Sequence, residues 1–359
     1  MISELFKYSH KIIWWVQDIR NIKEKIRQCG TKPLTSAQKR EIQSFWRPLV
    51  GHRVPSYWHE YFLTRNGVFS PRYVPTAVYH YDIIFRLNFR PFAKAYANKS
   101  FYDTIFPDVL RPQTIIKCIN GFYYDEKQAI SRKEAMDRCR NLTDVVVKPS
   151  QDGMWGRGVR IFSTVNGMVG ETETLASMLD AYGPNFIVQE KVVQHERMSA
   201  LNPSSLNTLR ILSYRQGDEI VILYAVVRIG RRGQSIDNET AGGVNADIDL
   251  TTGCIRDCAY GTPAEKRILR TDIGTELSGY FIPSFHGAID LVKELHLRLP
   301  YFKLVGWDIG IDVAGRPIMI EWNRAPDLSQ TAHGPAFGDM TEEIVREALK
   351  YPDSFMLLN

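Results

Sequence analysis

The 359-residue sequence contains no CxxC pair, no GK[ST] ending of a phosphate loop, and neither the HRD nor the DFG triplet of protein kinases. Its five cysteines, Cys29, Cys118, Cys139, Cys254 and Cys258, are odd in number and scattered. That excludes a disulfide framework and a zinc knuckle and fits a reducing cytoplasm. No apolar run approaches the roughly 20 residues that cross a bilayer. The opening "MISELFKYSHKIIWWVQDIR" has an early acid, a short apolar core and no small-residue cleavage site, so it does not read as a secretory signal. No Ser/His/Asp or Cys/His arrangement suggests a side-chain nucleophile, and His195, His286 and His333 read as structural or simply exposed.

What is present is ordinary soluble composition with an uneven charge. Residues 1–100 carry 17 Lys/Arg against 6 Asp/Glu, a balance of +11, while the remainder carries −6. The basic residues are spaced and not blocked into a tract, so a solvated basic face, an anionic substrate, a membrane surface and a polyanion all remain open. No nucleic-acid motif or groove-reading stripe appears, and no nucleic-acid partner is expected.

Leu5, Ile12, Ile13, Val16, Ile19 and Ile26 fall at near-helical spacing, and "TSAQKREIQSFWRPL" predicts a second helix capped by Thr35 or Ser36. From Arg47 to Arg90 the chain is dense in aromatics without a clean period, which suits core packing or the wall of a pocket. Beyond "ANKSFYDTIFPD" it turns to short β runs: "QTIIKCI", "FYYD", "DVVVKP", "VRIFS" and "FIVQEKVV", with "SRKEAMDRCRN" and "ETLASMLDAYG" as helices on them. Gly217 and Asp218 mark a hairpin in the β run that follows, and a helix is expected around "HGAIDLVKELHLRL".

The last hairpin, "WDIGIDVAGRPIMIEWN", carries acids inside strands. With Ala314 and Gly315 as its two turn residues, Ile309 faces Ile320, Trp307 faces Trp322 and Asp308 faces Glu321, while Asn323 projects from the same face. Opposed β-carbons lie about 4.5–5.5 Å apart, where like charges destabilise unless a cation intervenes. Two carboxylates and an amide are hard oxygen ligands that suit magnesium or manganese better than zinc. The plain alternative is a solvent-facing surface with two screened acids.

"VVVKPSQDGMWGRGVRIF" sets Lys148 before a loop with Gly153, Gly156 and Gly158 and a second strand after it, the layout of a flap whose backbone amides can approach phosphate. By itself it is equally a turn. "FIVQEKVV" runs a strand into a charged connector, as an adenine-binding hinge would, with backbone groups at Glu190 to Val192 free to read the base edge.

In this order, a lysine in "ANKSF", a lysine ahead of a glycine flap, a hinge acid and Asp…Glu-x-Asn in the last hairpin, the chain resembles the ATP-grasp superfamily. "SSLNTLRILSY", "VVRIGRRGQSIDNETAGGVNADID" and "GWDIGIDVAGRPIMIEWN" are similar to its sugar-transfer associated branch. The resemblance covers roughly residues 95 to 340 and implies an α+β ATP-grasp fold, two lobes over 99–190 and 191–359 clasping ATP, preceded by a helical, basic, aromatic region over 1–98. It implies that Lys99 and Lys148 contact ATP phosphates, that Gln189, Glu190, Lys191 and Val192 cradle adenine, and that His195 or Glu196 meets the ribose. Asp308, Glu321 and Asn323 would hold magnesium, with Glu321 bridging two ions. Arg210, Arg228 and Asn238 would attend the reacting phosphate, an Asx turn being the structural alternative for Asn238. Relatives usually open with a small α/β domain, whereas residues 1–98 read as helical and aromatic, so acceptor recognition does not carry over.

The resemblance implies an ATP-dependent carboxylate–amine ligase working through an acyl phosphate, with an amino acid or related group joined to a sugar or sugar nucleotide in surface polysaccharide assembly. A kinase that passes the γ-phosphate to a hydroxyl, and a basic module for polyanions, are the rival expectations. A soluble cytoplasmic protein with no transmembrane segment is expected, peripheral membrane contact remaining open.

Overall fold

Local signals start and stop the first helices. In this computed structural model, which describes residues 2–126, 128–151, 158–231, 233–234 and 242–352, the helix Ile2–Cys29 opens the chain. Thr35 accepts from the Gln38 amide while the Gln38 side chain reaches back to the Thr35 amide, a reciprocal cap on the helix Ser36–Val50. Gly51, at φ 78°, ends it. The helix Tyr57–Asn66 follows, then Thr76–Val78, which widens into π-helical turns over Tyr79–Ile84 before Phe85–Leu87. A π turn closes i→i+5 bonds, so its apolar residues fall off the 3.6-residue period. That is why this stretch shows no clean pattern in sequence.

The first sheet is antiparallel throughout. It contains β1 (Thr114–Ile119), β2 (Phe122–Tyr124), β3 (Ala129–Ile130), β4 (Leu142–Pro149), β5 (Arg160–Thr164) and, after the short hairpin of β6 (Met168–Val169) and β7 (Glu173–Thr174), β8 (Phe186–Glu190). Their spatial order is β3-β2-β1-β8-β4-β5. The helices Arg132–Arg138 and Leu175–Ala181 cover one face, burying Ala135, Met178 and Leu179 against Val145, Val147 and Val188.

The second sheet is also antiparallel and runs β12-β11-β10-β9-β13-β14, from β9 (Thr208–Gln216), β10 (Glu219–Ile229), β11 (Val244–Ile248), β12 (Ile255–Tyr260), β13 (Leu304–Ile311) and β14 (Pro317–Asn323). Alternation along the strands divides its faces. Leu209, Ile211, Ala225, Val227, Val305 and Trp307 pack with the helix Phe285–Leu297. On that side Trp307 donates to Ser213 Oγ, and the His296 Nε2–H donates to the Phe302 carbonyl, which leaves Nδ1 to accept from the Ser213 hydroxyl at 2.8 Å. Burial pushes His296 down to about 4, so the ring stays neutral in this role.

The opposite face is split. Leu212, Tyr214, Tyr224, Val226 and Leu304 lie beneath Ile42, Trp46, Ile83 and Ile84 from the amino-terminal helices and Ile344 and Val345 from the helix Thr341–Leu349. The rest of that face carries Thr208, Arg210, Arg228 and Asp308 and looks across a cleft at the first sheet. Residues 34–87 therefore share a core with the second sheet, and Tyr61, Phe62, Tyr73 and Tyr79 are core residues. Among the described residues the cleft wall begins at Lys99.

Asn88 fastens this union. Its side chain is buried, donates to the carbonyls of Leu304 and Arg324, and accepts from the amides of Lys303 and Leu304. Replacing it with leucine strands buried backbone groups, each costing about 1–3 kcal/mol. Asn88→Leu is expected to lose about 2–4 kcal/mol in urea unfolding; an unchanged midpoint would show that the clamp is dispensable.

Candidate functional site

The two sheets enclose a solvent-open cleft of about 1500 Å³. One row of residues runs across the floor. Asp308 on β13 pairs with Glu321 on β14 and with Arg210 on β9, Arg210 pairs with Val226 on β10, and Val226 pairs with Asp247 on β11. Paired residues share a face, so four ionisable side chains project from one line.

Arg210 grips Asp308 with two bonds, Nε to Oδ1 at 2.7 Å and Nη2 to Oδ2 at 2.9 Å. Arg228 Nη1 stands 3.5 Å from Oδ1, and Asn323 Nδ2 donates to Oδ2 at 3.2 Å. Burial alone would raise the Asp308 carboxyl, but Arg210 and Arg228 outweigh it and hold it well below the usual carboxylate range. Glu321 is paired differently, with Lys99 Nζ 3.2 Å from Oε2. The structure brings Asp308, Glu321 and Asn323 together; of the two arginines expected on the cleft, Arg228 lines it, whereas Arg210 is buried against Asp308 and does not.

The hairpin register holds at the acids and departs beyond them. Trp307 faces Trp322 and Asp308 faces Glu321, but Ile309 faces Met319 and Ile311 faces Pro317. The two-residue turn expected at Ala314–Gly315 is longer: Asp312 and Arg316 bond across it, and Asp312 Oδ1 accepts from the amides of Ala314 and Arg316. A bulge at Ile320 absorbs the extra residue and turns this side chain into the cleft next to Glu321. Gly306 is required for a different reason. A β-carbon there would stand 2.5 Å from Pro326 Cβ, so only glycine lets the chain after β14 cross β13.

Lys99 and Lys148 line the opposite wall with Val146 and Ile161. The turn bearing Lys99 is anchored by its amide on the Ser150 carbonyl and by Lys117, which donates to the Ser100 carbonyl and ion-pairs with Asp103. Lys148 is buried. Desolvation pushes it down to about 8, Lys99 adding repulsion and Glu321 opposing the shift.

Gln189, Glu190, Lys191 and Val192 also line the cleft at the end of β8. The Glu190 amide is not free, because it donates to the Gln113 carbonyl, and the Gln189 side chain bonds Pro112 and Thr114. Of the backbone groups expected to read a base edge, the Glu190 amide is thus taken, while Lys191 and Val192 line the cleft beyond it. The ribose expectation changes more. His195 and Glu196 are not on the cleft wall: His195 Nδ1 accepts from the Arg197 amide as the cap of Glu196–Ser199, and Glu196 faces solvent. Ser199, Ser204 and Ser205 occupy the wall there. The signal for Ser204 and Ser205 was the "SSLNT" run, whose hydroxyls carry no distinctive spacing. Gly158, at φ 77°, packs against Pro149, while Gly153, Gly156 and Asn238 lie outside the described residues.

Among the described residues no three His, Cys, Asp or Glu side chains gather to hold a metal ion. The candidate set is two carboxylates and one amide, hard donors whose charge is balanced in this structure by Arg210, Arg228 and Lys99. That donor chemistry fits magnesium or manganese.

A family model described as sugar-transfer associated ATP-grasp matches residues 80–344. The chain belongs to this family. The ATP-grasp superfamily consists of ATP-dependent ligases that generally use divalent metal ions. No curated protein matches in sequence. Among solved structures, the fold is similar to an L-amino acid ligase from Bacillus licheniformis, at 11% identity over 72% of this chain and 49% of that one, with a TM-score of 0.40. It is also similar to D-alanyl-alanine synthetase A from Vibrio cholerae (14%, 76% and 69%, TM-score 0.41) and to N5-carboxyaminoimidazole ribonucleotide synthetase from Thermotoga maritima (10%, 74% and 52%, TM-score 0.40). The chain spans about half the length of the first of these. The α+β architecture with helices ahead of the ATP-grasp domain is as expected, and among the described residues no helix is long and apolar enough to cross a membrane.

Lys148 makes the ATP-grasp cleft sensitive to pH. The lysine is cationic below its value of about 8 and neutral above it, and an anionic ligand prefers the cation. Affinity for ATP, measured by titration calorimetry, should hold steady up to about pH 8 and then fall by up to about tenfold per unit. Lys148→Arg should remove that fall, and a wild-type affinity flat through the alkaline range would count against phosphate contact by Lys148.

Proposed function

We propose that the protein is an ATP-dependent ligase that joins a carboxylate to an amine through an acyl phosphate. The family's description suggests the substrates: an amino acid or related group and a sugar or sugar nucleotide, in surface polysaccharide assembly. The cytoplasm, where ATP is made available, is the proposed location. The observation that carries the reading is the floor row, with anionic Asp308 and Glu321 beside cationic Arg210 and opposite Lys99 and Lys148.

The chemistry is mainly charge handling. A carboxylate must approach a triphosphate of the same sign, and fixed cations in a partly desolvated cleft lower that repulsion without reorganising. Lys148 and Lys99 would bind phosphate oxygens, and Lys191 and Val192 would receive the adenine edge. Arg228 and Arg210 would draw the substrate carboxylate toward the γ-phosphate, with Arg210 held in place by Asp308. Bound by Asp308, Glu321 and Asn323, magnesium or manganese would offset triphosphate charge. Lys99, now paired with Glu321, becomes available to a phosphate once that carboxylate has another counter-charge.

Two measurements test this. Given ATP, magnesium and carboxylates in hydroxylamine, the wild type should form a hydroxamate and release ADP and orthophosphate. Transfer of phosphate to a hydroxyl, with no hydroxamate, would make it a kinase instead. Glu321→Ala should lower ATP turnover by at least about 10²-fold while shifting urea stability by less than about 1 kcal/mol, since its salt bridge is partly exposed. Retained turnover would remove Glu321 from the metal site.

A further inference from the structure

Two lysines share one row of the first sheet. Lys148 on β4 pairs with Ile187 on β8, Ile187 pairs with Lys117 on β1, and Lys117 pairs with Tyr124 on β2. Paired residues share a face, so both lysines project from the side that looks across the cleft, with their Cα atoms about 10 Å apart. Their strand neighbours Ile116, Cys118 and Val147 point the other way, into the core beneath the helices. Of the two lysines, Lys148 lines the cleft and Lys117 does not. Lys117 is buried under the turn Lys99–Phe101 and the short helix Tyr102–Ile105 that follows it.

Three contacts tie that segment to the first sheet. Lys117 Nζ donates to the Ser100 carbonyl at 3.1 Å and to Asp103 Oδ2, and the Lys99 amide donates to the carbonyl of Ser150, just beyond β4, at 3.0 Å. Within the turn, Asn98 Oδ1 accepts from the Ser100 amide at 3.0 Å. The other side of the segment belongs to the second sheet, where Tyr102 and Phe106 enter the core with Trp307. The turn therefore lies between the lobes. Of residues 98–103 only Lys99 lines the cleft, its Nζ 3.2 Å from Glu321.

Stability does not account for Lys117. Burying an ion pair costs in desolvation about what its attraction returns, and an apolar side chain of similar volume would serve this strand at least as well. Placement does account for it. Lys99 is near enough to Lys148 to disfavour the charged form of that lysine, so the two ammonium groups repel. Lys148 is fixed by its strand, whereas Lys99 stands on a three-residue turn outside either sheet. Left unheld, that turn would yield to the repulsion. Lys117 grips the carbonyl of the residue next to Lys99, and Asp103 balances the charge that Lys117 brings. We infer that Lys117 and Asp103 are positioning residues that hold Lys99 on the phosphate-binding wall beside Lys148. They act through the backbone of the turn and do not themselves meet the nucleotide.

This inference rests on the reading of Lys99 as a phosphate contact, and the test separates the two. ATP affinity is measured on the full chain by titration calorimetry with magnesium, and urea unfolding checks each variant. Lys99→Ala should weaken ATP binding; an unchanged affinity overturns the phosphate contact and this inference with it. Lys117→Met combined with Asp103→Leu removes both charges and leaves neither buried alone. That paired replacement should weaken ATP binding by about tenfold when Lys99 is present and by less than about twofold when Lys99 is already alanine. Should the paired replacement not fold, Asp103→Asn, which leaves Lys117 an acceptor, is read in the same two backgrounds and should give about threefold and no change. A loss of equal size with and without Lys99 would mean a general disturbance of the lobe and overturns the inference. So does an unaltered ATP affinity in the folded variant that retains Lys99.

Discussion

The bidentate contact between Arg210 and Asp308 is the constraint on which the cleft depends. A buried ion pair contributes little net stability, because removing two charges from water costs about as much as their attraction returns. Apolar residues of similar volume would serve a sheet at least as well. The pair makes sense as a means of keeping a carboxylate ionised and a guanidinium aimed in a place where neither would otherwise remain. Asp308 then stands beside Glu321 with its charge intact. Two adjacent carboxylates are tolerable only because Arg210, Arg228 and Lys99 surround them, and that balance can be exchanged when another cation and a polyphosphate arrive together.

The division of one sheet face follows from the same strands. Along β9, Leu212 and Tyr214 are covered by the amino-terminal helices, while Thr208, four residues before Leu212, lines the cleft and Arg210 between them lies buried against Asp308. The helical region thus acts as a lid on half of the sheet and leaves the other half exposed to the first sheet. Asn88 ties that lid to β13 and to the chain after β14, so the acidic hairpin is held from behind. The aromatic density of residues 57–96 serves this packing.

Much of this was legible from the chain because it depends on local chemistry. Period-two alternation put Asp308, Glu321 and Asn323 on one face before any coordinates, and Thr35 or Ser36 marked the start of the second helix, which the structure assigns to Thr35. The departures have physical causes. The bulge at Ile320 arises because Asp312 stabilises a longer turn with its own side chain, which pairing arithmetic cannot anticipate. His195 became a helix cap because its amide is drawn to the Ile311 carbonyl, a contact between distant segments.

The sequence by itself determined the two opening helices and the presence of two acids and an amide on one hairpin, since each follows from spacing within a few residues, while the fold class came through resemblance to a family. Tertiary structure decided which cations answer those acids. Arg210 and Asp308 are 98 residues apart and meet only because β9 and β13 pair in one register. Register is a property of the assembled sheet, in which every strand must bury its apolar side, and no single segment contains that condition.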